Sequence, residues 1–200
     1  MTMDDGDIER LERELPALSR VKRFTKTLAG IPWFANLGEP LTAGANAAAR
    51  RFVEGLGFPG AEVAILVDWD DAAAAAESLD WQSPAWEAEE LLRADLTTRA
   101  LSLLSEEALQ ISMTLIAAQV AEPAREGMEQ AAVIFDFDSE DGKQLAVGAA
   151  VQAAHQAALT LIAAHDPSFD AEDHPFAAKF RLFEFGRWPV GVVGSSFNLF

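Results

Sequence analysis

The sequence contains no cysteine and no tyrosine, and each absence excludes a kind of chemistry. Without cysteine, the chain offers no disulfide, no thiolate zinc site, no iron–sulfur cluster and no thiol nucleophile. Without tyrosine, no phenol group takes part in acid–base catalysis. The lack of cysteine also fits a reducing compartment, where disulfides are rare.

Basic residues are scarce relative to acidic ones. The 200 residues include 15 Lys and Arg against 32 Asp and Glu, which gives a formal net charge of −17 at pH 7. A surface of this sign repels phosphate backbones, so we expect the molecule not to bind nucleic acid. The same charge favours solubility and suits a basic protein partner. With 50% hydrophobic residues, the composition is that of a globular domain rather than a disordered chain.

The sequence shows no secretory signal, and a single segment resembles a membrane span. The opening residues, MTMDDGDIERLERELP, are acidic and contain neither a basic n-region nor an apolar h-region. Residues 145–164 carry no formal charge, but alanine is only weakly hydrophobic, and glutamine, histidine and threonine interrupt the run. A buried core helix explains this segment better than a membrane span. We therefore expect one cytoplasmic domain over residues 1–200.

Apolar residues at spacings of three and four predict a mainly α-helical fold, a bundle of about six to eight helices. The clearest helix is the amphipathic segment 7–29, which Pro16 should kink or restart. A serine N-cap followed by proline predicts another helix start at Ser83. Ser105 can cap the next helix, which Pro123 should bend or end. The remaining helical segments are 43–56, the alanine run 72–76, 106–135, 143–164 and the stretch around 176–183.

Two segments depart from the helical pattern. Residues 61–69, AEVAILVDW, form a short apolar run that is either a buried strand or a helix, and periodicity does not decide between them. Residues 184–200 combine glycine with β-branched valine, which predicts an extended or β-like C-terminal segment packed on the bundle.

His155 lies at the centre of an apolar helix face, with Val151 and Leu159 one turn away on either side. Burying an imidazole costs free energy unless it is hydrogen-bonded, so His155 needs a partner. Ser112 and Gln119 share one face of the preceding apolar helix. If these two helices pack together, the three polar side chains meet inside the bundle.

Three interpretations of this cluster remain open at this point. The favoured one is a polar network in the core that fixes helix register and does nothing else. The second is a small-molecule pocket between the helices around 106–122 and 143–164, centred on His155. The third is a hydrolytic site with His155 as general base, which requires an approach path and a second group within hydrogen-bond reach.

The acidic loop HDPSFDAEDH contains the residue types that bind divalent cations. The weak metal-ligand candidates are His165, Asp166, Asp170 and His174. Their spacing matches no common metal site, and a solvated acidic loop explains them better. The segment DFDSEDGK fails as a calcium loop because Asp141 stands where the turn requires glycine. No Glu-x-x-His pattern is present, so we expect no metal or other cofactor.

Charge separation near the N-terminus suggests a protein-binding surface. Four bases occur without an acid between Leu15 and Gly30: Arg20, Lys22, Arg23 and Lys26. In so acidic a chain, such a helix docks on the protein's own surface or on another copy. Trp33 and Trp188 each adjoin a proline in a predicted loop, and exposed loop aromatics are typical of interfaces. The sequence therefore favours a non-catalytic protein that self-associates or binds a protein partner.

Overall fold

A computed structural model describes residues 5–200, with side chains described from Glu14 onward. Within this range the chain forms seven α-helices and three short strands, which confirms the predicted helical bundle with a β-like C-terminal segment. The helices are α1 (Asp5–Leu28), α2 (Ala43–Gly55), α3 (Trp69–Glu77), α4 (Pro84–Leu103), α5 (Glu106–Phe135), α6 (Glu140–Ala163) and α7 (Pro175–Glu184). The strands are β1 (Glu62–Ile65), β2 (Pro189–Val193) and β3 (Ser196–Leu199).

Helix α6 is the centre of the bundle and packs against α1, α4, α5 and α7. Its buried positions are mostly alanine, and small side chains let neighbouring helices approach closely. Among the described helices, α6 is the one long and apolar enough to cross a membrane. In this fold 56% of its most apolar window is buried inside the protein, as in the core helices that pass the same test.

Side-chain caps fix where the helices begin. An oxygen of the residue before each of five helices accepts a hydrogen bond from a backbone N–H of the first turn, as the sequence predicts at Ser83 and Ser105. The five capping residues are Thr42, Asp68, Ser83, Ser105 and Ser139. Pro84 follows its cap at the first helical position, where its missing N–H costs nothing.

Two prolines lie inside helices and end neither of them. Pro16 is within α1, and Pro123 is within α5, which continues unbroken to Phe135. The alternative that Pro123 ends its helix is therefore wrong. Val120 and Ala124 on either side of it are fully buried, so packing holds α5 together across the single lost hydrogen bond.

The three strands form one small sheet in the order β1-β3-β2. Strands β2 and β3 make an antiparallel hairpin, and β1 pairs parallel to β3 with Val63 opposite Phe197. Residues 62–65 of segment 61–69 therefore form a strand, and the segment's last residue, Trp69, begins α3. The partner of this strand is the C-terminal segment, far along the chain, so no local pattern could have decided between strand and helix.

Candidate functional site

The structure does not assemble the predicted polar cluster around His155. The imidazole is half-buried on α6, and its Nε2 lies 2.9 Å from the carbonyl oxygen of Met113 on α5. Because a carbonyl only accepts, Nε2 is the protonated nitrogen in this contact. Ser112 is buried but donates to the carbonyl of Ala108 at 2.8 Å, and Gln119 is exposed to solvent. His155 is thus paired with the backbone of α5 and not with the two predicted side chains.

The predicted metal ligands are also not brought together. His165, Asp166 and Asp170 are exposed, and the two carboxylates accept hydrogen bonds from backbone N–H groups of their own loop. His174 caps α7, where its Nδ1 accepts from the N–H of Phe176 at 3.1 Å. Within residues 14–200 no group of three or more potential ligands is placed to hold a metal ion. The carboxylates of Asp166 and Asp170 therefore bind backbone amides of their own loop.

The two predicted contact tryptophans are core residues. Trp33 is 3% exposed and donates through Nε1 to the carbonyl of Leu28, and its ring packs against Phe183. Trp188 is 2% exposed and stacks near Trp69. The prediction that both are exposed at an interface is wrong, because the loops that carry them are covered by α7 and α3.

Three of the four predicted basic contacts do face solvent. Lys22, Arg23 and Lys26 are exposed on the second half of α1. Arg20 is half-buried, and its guanidinium Nη1 lies 3.5 Å from the carbonyl oxygen of Leu161 on α6. Arg20 therefore contacts the bundle itself, while the other three form an exposed basic face, here called the α1 basic face.

A pocket of about 270 Å³ lies between α4, α6, β2 and the loop that joins α3 to α4. This volume lies just below the lower end of the range for small-molecule sites. Three of the five tryptophans line it, namely Trp81, Trp86 and Trp188, so we call it the tryptophan pocket. Apolar side chains complete most of the wall: Leu79, Ala85, Leu145, Ala149, Pro189, Val190 and Val192.

The segment DWQSPAW builds the mouth of the tryptophan pocket. The Trp81 and Trp86 rings stand nearly perpendicular, with an interplanar angle of 89° and centroids 4.5 Å apart. Trp86 belongs to the first turn of α4, and its backbone N–H donates to the capping hydroxyl of Ser83. Asp80 accepts a hydrogen bond from the Gln82 N–H at 2.8 Å, which holds its carboxylate beside Trp81. The two rings therefore lie on either side of the start of α4.

An ion pair borders the interior of this pocket. Lys179 on α7 lies 2.6 Å from a carboxylate oxygen of Glu89 on α4, and the two side chains are only 12% and 14% exposed. The amide of Gln156 on α6 lies 3.5 Å from the same carboxylate. The carbonyl oxygen of this amide is buried and has no hydrogen-bond partner among the described residues. A nearly buried polar cluster therefore adjoins an aromatic, otherwise apolar pocket.

A second, more open cleft of about 420 Å³ lies between α1, α2, α6 and α7. Phe24, Phe180 and Phe185 form part of its wall. Two of its charged groups pair with each other: Arg181 Nε lies 3.4 Å from Glu184 Oε2. Burial raises the pKa of the Glu184 carboxyl, against the opposing charge of Arg181. The tryptophan pocket is the more enclosed of the two.

The tryptophan pocket was not predicted from the sequence, although one local signal for it is present. Trp81 and Trp86 straddle a recognisable helix start, which predicts that their rings lie close together. Nothing local indicates that Lys179 and Trp188 reach the same place, because they come from α7 and from the start of β2. Only the packing of α7 and the C-terminal hairpin against α4 and α6 brings these residues into one site.

Comparison of the chain with models of protein families, with curated proteins and with solved structures finds no significant match.

Proposed function

We propose that this protein binds a small organic molecule in the tryptophan pocket. The observation that supports this proposal most directly is the pair of perpendicular indole rings that line an apolar pocket, with a nearly buried ion pair in the same lining. Rigid aromatic walls with a few polar groups are typical of small-molecule sites. Trp81 leaves 57% of its surface exposed, and a ligand packed against its ring would cover much of that surface. His155, the centre of the pocket predicted from the sequence, is not among the residues that line the tryptophan pocket.

Gly148 in α6 can be substituted without a steric clash, which allows a test of this proposal. Gly148 lines the pocket, and a Cβ atom placed there would meet no heavy atom within 4 Å. Gly148→Leu should therefore project its side chain into the pocket and occupy it, whereas Gly148→Ala fills little of the space. The pair is matched, because both changes replace glycine within the same helix.

The measurement is the emission of a neutral naphthalene dye, 6-propionyl-2-(dimethylamino)naphthalene, titrated with each protein. We expect a blue shift with the wild type and with Gly148→Ala, and its loss with Gly148→Leu. Native mass spectrometry of protein purified gently from its own host gives the mass of any ligand already bound. A dye signal that is equal in all three proteins, together with a bare protein mass, would contradict the proposal.

The α1 basic face supports a second candidate function, which is self-association. Lys22, Arg23 and Lys26 are exposed on a molecule whose net charge is −17, so an acidic surface of a second copy complements them. Such an interaction is screened by salt over a Debye length of about 8 Å at physiological ionic strength. The geometry supports this candidate less than the pocket, because two like-charged copies repel each other at long range.

Sedimentation velocity tests the self-association candidate. We expect wild-type oligomers at low salt that dissociate in high salt, and a monomer for the triple variant K22Q/R23Q/K26Q. The control E122Q/R125Q removes an exposed ion pair of α5 without changing the basic face. If the triple variant has the oligomeric state of the wild type and captures the same proteins, this candidate function is wrong.

A further inference from the structure

We propose that the tryptophan pocket selects an organic cation, an alkylammonium or quaternary ammonium group, over neutral and anionic molecules of the same shape. This inference rests on the proposed small-molecule binding and adds the chemical class of the ligand. Two properties of the lining carry it, the indole faces and the balance of charge.

The aromatic corner of the pocket suits a cation. The face of an indole ring is electron-rich and attracts a cation placed over it, and tryptophan is the strongest of the aromatic side chains in this respect. Trp81 and Trp86 contact each other edge to face at 89° and both line the pocket, and Trp188 lines it as well, at only 2% exposure. Aromatic rings that meet at an angle around one space are the arrangement by which proteins recognise quaternary ammonium groups.

The charges that line the pocket have a net negative sum. Three charged side chains line it: Asp80, Glu89 and Lys179. The ammonium of Lys179 lies 2.6 Å from Glu89, so these two charges compensate each other. Asp80 is left as the uncompensated charge, beside Trp81 at the mouth. A ligand cation therefore meets both the indole faces and a carboxylate.

The same arrangement disfavours an anion. The charge of Lys179 is already compensated by Glu89, and an anionic ligand that displaced Glu89 would leave a nearly buried carboxylate without its partner. Removing one partner of a buried ion pair is strongly unfavourable. The anion would also pass Asp80 and enter the field of a molecule with net charge −17, which concentrates cations around it and depletes anions.

Three small probes of one shape and different charge test the inference. Choline carries a trimethylammonium group, 3,3-dimethyl-1-butanol replaces the nitrogen with carbon, and 3,3-dimethylbutyrate carries a negative charge. Binding is followed by the indole N–H signals of 15N-labelled protein. We expect choline to bind at least about threefold more tightly than the alcohol, and the alcohol more tightly than the carboxylate.

Two variants assign the selectivity to the pocket. Trp81→Leu removes an indole that is 57% exposed, so the fold should tolerate it, and the choline-to-alcohol preference should fall toward one. Asp80→Asn keeps an oxygen that accepts from the backbone N–H of Gln82 but removes the charge. It should lower the affinity for choline at least about threefold and have little effect on the affinity for the alcohol. Glu77→Gln is the control: it changes net charge equally, on an exposed residue outside the lining.

The outcomes separate this inference from the proposed function. Equal or tighter binding of the alcohol overturns cation selectivity and leaves small-molecule binding intact. Tightest binding of the carboxylate also overturns it and identifies Lys179 as the group that recognises the ligand. If choline shifts no pocket indole while the neutral dye still binds, the cation class is wrong. If neither choline nor the dye binds, both proposals fail.

Discussion

At the scale of single residues, His174 combines a capping role with an unusual protonation state. Its Nδ1 must be unprotonated to accept from the Phe176 N–H, and the rings of Phe169 and Phe176 lie 5.6 and 5.2 Å from the imidazole. Burial lowers the pKa of His174 to about 4, while Asp95 raises it and Arg99 lowers it to smaller extents. The cap of α7 is therefore made by a neutral imidazole at pH 7.

This protonation state predicts a pH-dependent loss of stability. As pH falls from about 6.5 toward 4, the unfolded chain binds a proton at His174 that the folded chain does not, so the free energy of unfolding falls. His174→Asn retains a capping oxygen and removes this difference. Between pH 7.5 and 5, the free energy of unfolding of the variant should fall by roughly 1 kcal/mol less than that of the wild type, because partial exposure of His174 reduces the effect of its pKa shift.

Urea unfolding at the two pH values measures this difference. His165→Asn is the control, because His165 is exposed in the adjoining loop and caps no helix. Equal pH-dependent losses in the wild type and His174→Asn would show that the imidazole does not titrate as the structure indicates. A lower stability of His174→Asn at both pH values, with an unchanged difference between them, would have the same meaning.

At the scale of elements, two glycines in neighbouring helices have opposite surroundings. A Cβ atom at Gly148 on α6 would meet nothing within 4 Å, whereas one at Gly127 on α5 would lie 2.3 Å from the carbonyl oxygen of Trp33. Helix propensity alone favours alanine over glycine at both positions. Gly127 is therefore required by the close approach of the segment after α1, and Gly148 is not required by packing.

Alanine substitutions should have opposite effects at these two positions. We expect Gly148→Ala to raise the free energy of unfolding by about 0.5–1 kcal/mol. Gly127→Ala should lower it by roughly 1–3 kcal/mol, because backbone must shift to relieve the contact. Denaturant unfolding of both variants measures the two changes. Stabilisation by Gly127→Ala would mean that α5 and the segment around Trp33 are not in contact in solution.

Sequence signals predicted helix starts correctly where residues next to the helix determine its start. The starts of α4 and α5 follow from Ser83 and Ser105, whose hydroxyls cap their own helices. Pro123 misled the prediction of α5, because the packing that holds the helix together comes from other elements. Strand β1 was undecided from sequence for the same reason, since its hydrogen bonds go to β3.

At the scale of the whole molecule, the candidate site forms only when distant parts of the chain pack together, so it could not be predicted from the sequence. The predicted His155 cluster assumed that polar residues on packed apolar helices face each other. The helices do pack, but Gln119 points to solvent and Met113 supplies a backbone carbonyl instead. The tryptophan pocket depends on α7 and the C-terminal hairpin, which bring Lys179 and Trp188 to α4.

The Glu89–Lys179 pair joins α4 to α7 and should contribute more to stability than surface ion pairs do. The two side chains are 14% and 12% exposed, and the Lys179 ammonium also lies 5.4 Å from the centre of the Phe52 ring. Glu89→Gln and Lys179→Met should each lower the free energy of unfolding by roughly 2–4 kcal/mol, because each leaves a nearly buried charge without its partner.

A double-mutant cycle on this pair separates mutual attraction from packing. The variant E89Q/K179M should be more stable than the sum of the single losses predicts, with a coupling energy of roughly 1–3 kcal/mol. The same cycle on Glu122 and Arg125, whose side chains are 62% and 55% exposed, should give less than about 0.5 kcal/mol. Equal coupling in the two cycles would mean that water reaches the α4–α7 pair. A wet pair would leave Lys179 free to meet an anionic ligand and would weaken the case for cation selectivity.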